Sequence, residues 1–413
     1  MNTVTFGSLG LAEPILRAVE ARGYTEPTPI QAGAIPPLLA DRDLLGIAQT
    51  GTGKTAAFAL PILQHLNDRP GRAGPFGTRC LILAPTRELA LQIEAEIRSY
   101  AINLKVSTTV LLGGVGRRPQ EERMRRGADI VVGTPGRVRD LMGTRHLRLN
   151  EATHFVLDEA DRMLDLGFIR DIRHIVAALP AARHSLLFSA TMPAEVAQLA
   201  ATFLRDPLRV EMTPLARTPD RVAQFVHHVD TAGKRTLLVH LLGDAAMQKV
   251  IVFTRTKHGA NRVAEHLDAA GIGAEAIHGN KSQSQRERAL RQFRTGRARV
   301  LVATDIAARG IDVPQVSHVI NYDLPVEPES YVHRIGRTAR AGADGIAIAF
   351  CDAAERPALS AIERLTGVAL SPVGAVPEKT RNPERGARSP SAPPATRRRR
   401  RRPGFRAPAS AAA

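Results

Sequence analysis

Two short stretches of this 413-residue chain hold residue types that together suit phosphoanhydride chemistry. The first, LLGIAQTGTGKT (44–55), reads as an apolar strand, a glycine-rich turn and the start of a helix. Gly51 and Gly53 let the backbone curl until its N–H groups converge on phosphate oxygens. The helix that follows directs its positive N-terminus at the same place. Gln49, Thr50 and Thr52 complete the loop. Lys54 is placed to reach the β and γ phosphates, and the Thr55 hydroxyl to ligate magnesium. Ala48 departs from the G-x-x-x-x-G-K-[ST] pattern by standing where its first glycine falls. A chance glycine turn is the alternative; the apolar run before it and the Lys-Thr ending weigh against that.

The second stretch, HFVLDEAD (154–161), supplies what the loop lacks. Asp158 falls at an expected strand tip, placed to hold magnesium, and Glu159 beside it suits the orienting or deprotonation of an attacking water. Adjacent carboxylates beside an apolar strand are costly unless a cation neutralises them. A helix-capping acidic pair is the alternative. By themselves these residues indicate an ATP or GTP hydrolase and nothing sharper. A third cluster, HRIGRTAR (333–340), places His333, Arg337 and Arg340 at i, i+4 and i+7, which predicts one stripe of a helix.

Such groups need elements to position them. Short apolar runs recur along the chain: LLGIA (44–48), CLILA (80–84), IVV (130–132), FVL (155–157), LLF (186–188), VIVF (250–253), VLVA (300–303), VI (319–320) and IAIAF (346–350). Runs without polar alternation suit strands buried on both faces, as in a parallel sheet covered by helices. Strand–helix repetition implies right-handed βαβ units. Small, polar and charged residues follow most of these runs: PTREL, GTPGR, DEAD, SAT, TRT and TD. They fall at the carboxyl ends of the expected strands, where open α/β sheets bind ligands. A proline-bearing stretch, EMTPLARTPD (211–220), interrupts the pattern and reads as a linker. The sequence therefore predicts an α/β protein with a first domain over 1–210, a linker over 211–219 and a second domain over 220–368. A disordered basic tail follows over 369–413.

Length alone favours two domains. A formal net charge of +17 and a pI near 11.0 point to a polyanionic partner. From Ser371 onward the chain holds one Lys, ten Arg and two Glu, a net of +9, with few large apolar residues to bury. Two cysteines, Cys80 and Cys351, form no disulfide framework and suit a reducing compartment. Neither a signal-peptide pattern nor the run of about 18 apolar residues that a membrane span needs is found. A cytoplasmic protein is expected.

Taken together, the motifs resemble those of the DEAD-box RNA helicases, over about residues 6–355 and in family order. GYTEPTPIQ (23–31), with Phe6 upstream, resembles the family's adenine-recognising segment. AQTGTGKT, PTRELA, Gly113-Gly114, TPGR, DEAD and SAT complete the first half. VIVFTRT, Gln283 with Arg286, ATDIAARGID and HRIGRTAR complete the second. The wording LDEADRMLDLGF and FSATMP, with the basic tail, is similar to the bacterial RhlE-like branch.

The resemblance implies two tandem RecA-like domains with a cleft between them, ATP and Mg²⁺ as cofactors, and RNA as partner. It implies that Gln31 pairs its amide with the adenine edge, that Phe6 stacks on the base and that Asp312 reaches the ribose. Pro85, Thr86, Arg87, Gly113, Gly114, Thr134, Pro135, Gly136 and Arg137 would contact RNA on the first domain. Gln283, Arg286, Thr304, Arg309 and Gly310 would continue that track on the second. Ser189 and Thr191 would bond with Asp161 and His333, linking hydrolysis to domain closure, and Arg337 and Arg340 would act on the γ-phosphate. A monomer with ribosomal or RNA-decay protein partners is expected. The spacing of residues does not separate RNA from DNA, or an unwinding enzyme from an ATP-gated clamp. Ala339 replaces the family's usual glycine; alanine favours helix by about 1 kcal/mol, which predicts a stiffer arginine-bearing turn or a crowded cleft.

Overall fold

The computed structural model describes residues 4–48, 51–211, 222–308, 313, 315–339 and 344–374. All nine apolar runs form strands, with Ala48 and Ala84 falling one residue past the ends of theirs. Seven strands, β1 (Leu44–Ile47), β2 (Thr78–Leu83), β3 (Thr108–Leu111), β4 (Ala128–Gly133), β5 (His154–Leu157), β6 (His184–Ser189) and β7 (Leu208–Glu211), build a first sheet in the order β3-β4-β2-β5-β6-β1-β7. A second sheet takes β8 (Val222–His228), β9 (Val250–Phe253), β10 (Ala274–Ile277), β11 (Val300–Ala303), β12 (His318–Asn321), β13 (Gly345–Cys351) and β14 (Ser371–Val373) in the order β10-β11-β9-β12-β13-β8-β14. Every pairing in both sheets is parallel. The pattern of strands and helices predicts the two parallel sheets, and the family resemblance implies their RecA-like form.

The unalternated runs are explained by burial on both faces. Cys80 and Ile82 pack into one core while Leu81 and Leu83 pack into the other, on the opposite face of the first sheet. In the second sheet Val250 and Val252 face one core, and Ile251 and Phe253 the other. Each apolar residue removed from water contributes about 1.5–3 kcal/mol, so both faces of each sheet are driven to be covered by helices. Five strands carry no such run: β3, β7, β8, β10 and β14. Four of them lie at sheet edges, and β8 alternates buried with exposed positions.

One boundary moves. Ser371–Val373 pairs with Phe225–His227 as an edge strand, so the second sheet extends into the segment assigned from composition to the basic tail. Backbone pairing needs no large side chain, and Ser-Pro-Val gives little compositional warning of it. The linker residues 212–219 and the tail from 375 lie outside the described residues, as do Gln49, Thr50, Arg309, Gly310, Asp312 and Arg340.

Candidate active site

Parallel pairing brings the carboxyl ends of β1, β2, β4, β5 and β6 to one edge of the first sheet. The glycine loop follows β1. Gly51 and Gly53 both have left-handed backbones, φ 88° and 89°, which a side chain would strain. The helix Lys54–Asp68 starts directly after Gly53. Ala48 is buried in the apolar core, and its N–H donates to the Ser189 carbonyl at 2.9 Å. Its methyl group is therefore accommodated, which accounts for the absent first glycine.

Lys54 is 6% exposed. Its Nζ is buried without a hydrogen-bond partner and lies 3.8 Å from Asp158 Oδ1. A buried ammonium left in this state is costly unless an anion arrives to meet it. Thr55, one residue on, is half-buried.

Asp158 follows β5, and its N–H donates to the Leu83 carbonyl at 3.0 Å. Burial pushes its carboxyl up to about 6, against the downward pull of Lys54; Glu159 adds to the rise. Glu159 has φ 55°, a left-handed backbone for a residue that is not glycine, and caps the helix Ala160–Asp165. Burial raises its pKa, but Arg162, Lys54 and Arg337 outweigh that and hold it below the ordinary carboxylate value. The Arg162 guanidinium donates to Glu159 Oε2 at 2.8 Å. The two neighbouring carboxyls are thus pushed apart, one toward protonation and one toward the anion.

Asp161 Oδ2 accepts from Ala190 N at 3.2 Å, Thr191 N at 2.9 Å and Thr191 Oγ1 at 2.9 Å. Its own N–H donates to Ser189 Oγ at 3.1 Å. The bond expected between the acidic tetrapeptide and the Ser-Ala-Thr turn is therefore present. Glu159, Asp161, Arg162 and Thr191 line a cavity of about 240 Å³ together with His333 and Arg337 from the second sheet's side.

The helical stripe predicted for HRIGRTAR is not what forms. The helix Pro328–Ile335 ends before Arg337, which sits in the following turn with Nε donating to the His333 carbonyl at 3.1 Å. Gly336 C-caps the helix, and Ala339 adopts φ 56°. The methyl group thus occupies a left-handed position, where glycine is favoured, and helix stiffening does not apply. Arg334 points elsewhere: it makes a bidentate pair with Asp305 at 2.6 and 2.7 Å and donates to Asn321 and to the Asp323 carbonyl. It fastens the motif to the second sheet.

Three further expectations meet different partners. The Gln31 amide is engaged within the protein, accepting from Thr28 N at 2.8 Å and donating to the Gly53 carbonyl at 3.1 Å. Phe6 is 4% exposed and belongs to the first core, loosely stacked on Tyr24. Arg87 donates to Gln283 at 3.2 Å and Arg286 pairs with Glu88 at 2.9 Å, so residues expected to line an RNA track join the two halves directly. A cation at a cleft edge takes the nearest acceptor, and these were in the facing domain.

The remaining track residues sit at loops on the same edge. Pro85 is buried, and Thr86 Oγ1 caps the helix Arg87–Tyr100 by accepting from Leu89 N at 3.3 Å. Gly113 N donates to Thr134 Oγ1 at 3.4 Å, and Gly114 has φ 67°, with the Arg87 guanidinium lying where a Cβ would project. Pro135, Gly136 and Arg137 open the next helix, Arg137 donating to the Val115 carbonyl at 3.1 Å. Thr304 follows β11 on the second sheet.

The DEAD/DEAH box helicase family matches residues 28–199, and the helicase conserved C-terminal domain matches residues 233–342. The DEAD-box ATP-dependent RNA helicase CshA of Bacillus subtilis (strain 168) is 42% identical over 364 residues, 88% of this chain and 73% of the relative. The chain belongs to the DEAD-box ATP-dependent RNA helicases. By that membership it is an ATP hydrolase and RNA helicase. DEAD-box ATP-dependent RNA helicase 30 of Arabidopsis thaliana is 45% identical over 84% of this chain, which spans 59% of that longer relative. Among solved structures, S. cerevisiae Dbp5 bound to RNA and ADP BeF3 matches with TM-score 0.80 and 35% identity, covering 89% of this chain and 95% of that one. Mss116p bound to ssRNA and AMP-PNP also matches with TM-score 0.80, at 29% identity and with 91% and 80% covered.

Sequence reasoning missed several residues of this DEAD-box site. Arg162 is one, four residues beyond Asp158 and one helical turn from Glu159; its i, i+3 spacing to Glu159 was the available signal. Thr28 is another: its hydroxyl donates to the Thr52 carbonyl at 2.9 Å and so braces the phosphate loop. Glu88 and Asp305 had no signal, because their partners are distant in sequence.

Proposed function

We propose that this helicase hydrolyses ATP at the first sheet's carboxyl edge and uses the energy of nucleotide and RNA binding to hold its two halves together on single-stranded RNA. The observation that carries this reading is Lys54 Nζ, buried, without a hydrogen-bond partner and 3.8 Å from Asp158. Lys54, the loop N–H groups and the helix N-terminus would hold the phosphates. Asp158, buried and drawn to about 6, and Thr55 would hold Mg²⁺, which supplies neutralisation of phosphate charge. Glu159, kept anionic by Arg162, would orient the attacking water and take its proton. Arg337 and Arg340 would stabilise charge on the γ-phosphate, a service worth roughly 10³–10⁵ in rate elsewhere. Gln31 would exchange a protein bond for adenine, with Phe6 and Asp312 completing the nucleoside pocket.

Ser189, Thr191, Asp161 and His333 would report the phosphate's state to the cleft. Arg87, Gln283 and Arg286 would trade their cross-cleft bonds for RNA phosphates, joined by Thr86, Gly113, Gly114, Thr134, Gly136, Arg137, Thr304, Arg309 and Gly310. Contacts of this kind read backbone, not bases. A strand bent in the closed cleft would no longer fit a duplex, so short duplexes would separate. Domain limits at 1–210 and from 220 to the end of the Ser371–Val373 strand, a cytoplasmic bacterial setting, the RhlE-like branch, a monomeric state and ribosomal or RNA-decay protein partners belong to the same proposal. The arginine-rich tail would tether RNA.

The test is RNA-stimulated ATP turnover and displacement of a short RNA strand, compared with Glu159→Gln. Stimulation by RNA with strand displacement abolished in the variant supports the reading. Equal stimulation by DNA overturns the RNA assignment. ATP-dependent RNA retention without displacement in the unaltered chain makes it a clamp.

A further inference from the structure

At the amino edge of the first sheet, opposite the phosphate loop, three histidines converge. His154 opens β5, His184 opens β6, and His65 lies in the last turn of the helix that begins at Lys54. All three are buried. Their ring centroids form a triangle with sides of 5.3, 5.6 and 6.0 Å.

Each ring has one nitrogen fixed outward. His65 Nε2 meets the Leu39 carbonyl at 3.2 Å, and His184 Nε2 meets the Arg42 carbonyl. His154 Nδ1 meets Thr153 Oγ1 at 2.9 Å, and that hydroxyl donates its hydrogen to the Arg79 carbonyl. Carbonyl oxygens only accept, and the threonine hydrogen is committed. All three outer nitrogens therefore carry an N–H. In the neutral tautomers the inner nitrogens, His65 Nδ1, His154 Nε2 and His184 Nδ1, are lone pairs facing one another.

Donor atoms of the three residues lie within 4.8 Å of one another. His65 Nδ1 and His154 Nε2 stand 3.0 Å apart, a distance at which two lone pairs repel unless a proton or a cation lies between them. His184 Nδ1 is buried with no hydrogen-bond partner. Beside them lies a carboxylate: Asp41 Oδ2 is held by Arg69 at 2.7 Å, which leaves Oδ1 3.7 Å from His65 Nδ1. The Asp41 side chain is 50% exposed, so the cluster has a path to solvent.

We propose that His65, His154, His184 and Asp41 bind a divalent transition-metal ion, with zinc as the best match. Three imidazole nitrogens and one carboxylate oxygen make a tetrahedral zinc donor set, and imidazole disfavours the hard cations magnesium and calcium. Zn–N bonds of about 2.0–2.1 Å put donor nitrogens about 3.3 Å apart, close to the 3.0 Å between His65 Nδ1 and His154 Nε2, with the whole set within 4.8 Å. Outer nitrogens held by carbonyl and hydroxyl oxygens are the arrangement that orients metal-bound histidines. The ion joins the loop at Asp41, the far end of the phosphate-loop helix and two central strands. It is a structural metal, remote from ATP chemistry.

The experiment uses the untagged full chain, stripped with a chelator and titrated with Co²⁺ and Zn²⁺. The expected result is one metal per chain by elemental analysis, visible Co²⁺ ligand-field bands of tetrahedral intensity, displacement of Co²⁺ by Zn²⁺, and a thermal midpoint raised by Zn²⁺. His184→Gln loses the bands. Because that position is buried, Asp41→Asn provides the second reading: it keeps the metal-free thermal midpoint and weakens Zn²⁺ binding tenfold or more. Absence of stoichiometric metal in the unaltered chain, or equal bands in His184→Gln, overturns the site. A single proton shared among the rings, seen by nitrogen NMR with no metal taken up, overturns it too.

Discussion

The Glu88–Arg286 pair joins the two halves through a contact that exists only while they are together. Its N–O distance is 2.9 Å, with side chains 6% and 14% exposed. A charge-assisted bond of this kind contributes about 1.5–3 kcal/mol, more than a solvated pair. Taking about 2 kcal/mol, and 1.36 kcal/mol per tenfold, the pair shifts the closed–open equilibrium by about 30-fold. Glu88→Gln, Arg286→Gln and the double variant form a mutant cycle that isolates this coupling. Energy transfer between dyes on the two domains, in RNA-free protein, measures the closed fraction. Each single variant should lose closure, and the double variant should lose no more than the worse single one. Additive losses, with coupling below about 0.5 kcal/mol, would refute the claim that this pair holds the cleft. RNA adds a second discriminator: Arg286→Gln should weaken RNA affinity in the closed state, whereas Glu88→Gln should not, because Arg286 is then released to phosphate.

Removal of the Arg162 charge by Arg162→Gln takes away a cation that holds Glu159 below its ordinary pKa, so that pKa rises. The acid limb of the turnover profile should therefore move to higher pH, and an unmoved limb would sink the base assignment to Glu159. Asp158 titrates near 6 because burial favours its neutral form, so protons compete with Mg²⁺ below that pH. The Mg²⁺ affinity advantage of the unaltered chain over Asp158→Asn should be nearly constant near pH 7.5, fall by about half at pH 6 and shrink by up to about tenfold per unit below it; a constant advantage down to pH 5 would contradict it. Ala339→Gly relieves a left-handed alanine at φ 56°. A left-handed residue with a side chain costs about 1–2 kcal/mol, so the variant should melt about 2 °C or more higher by calorimetry, with ATP affinity unchanged.

The sequence by itself determined the strands buried on both faces, because unalternated apolar runs have no other stable destination. It also determined the phosphate loop, because left-handed glycines before Lys-Thr are a local requirement met by local residues. The bond from Asp161 to Ser189 and Thr191 was legible through motif resemblance, not through spacing. Edge strands β3, β7, β10 and β14 were not legible, since an edge strand needs fewer buried side chains and takes its hydrogen bonds from a neighbour distant in the chain. The arginine motif misled for a related reason. Its i, i+4, i+7 spacing obeys helical geometry, but Gly336 ends the helix, and Arg334 is claimed by Asp305 from another strand's end. Only the tertiary structure decided which acceptor each cleft cation would find, and only it brought His65, His154 and His184 together. The 30 residues between His154 and His184 vanish because parallel strands start side by side at the amino edge of one sheet, and the 89 between His65 and His154 because the helix after β1 runs back to that edge.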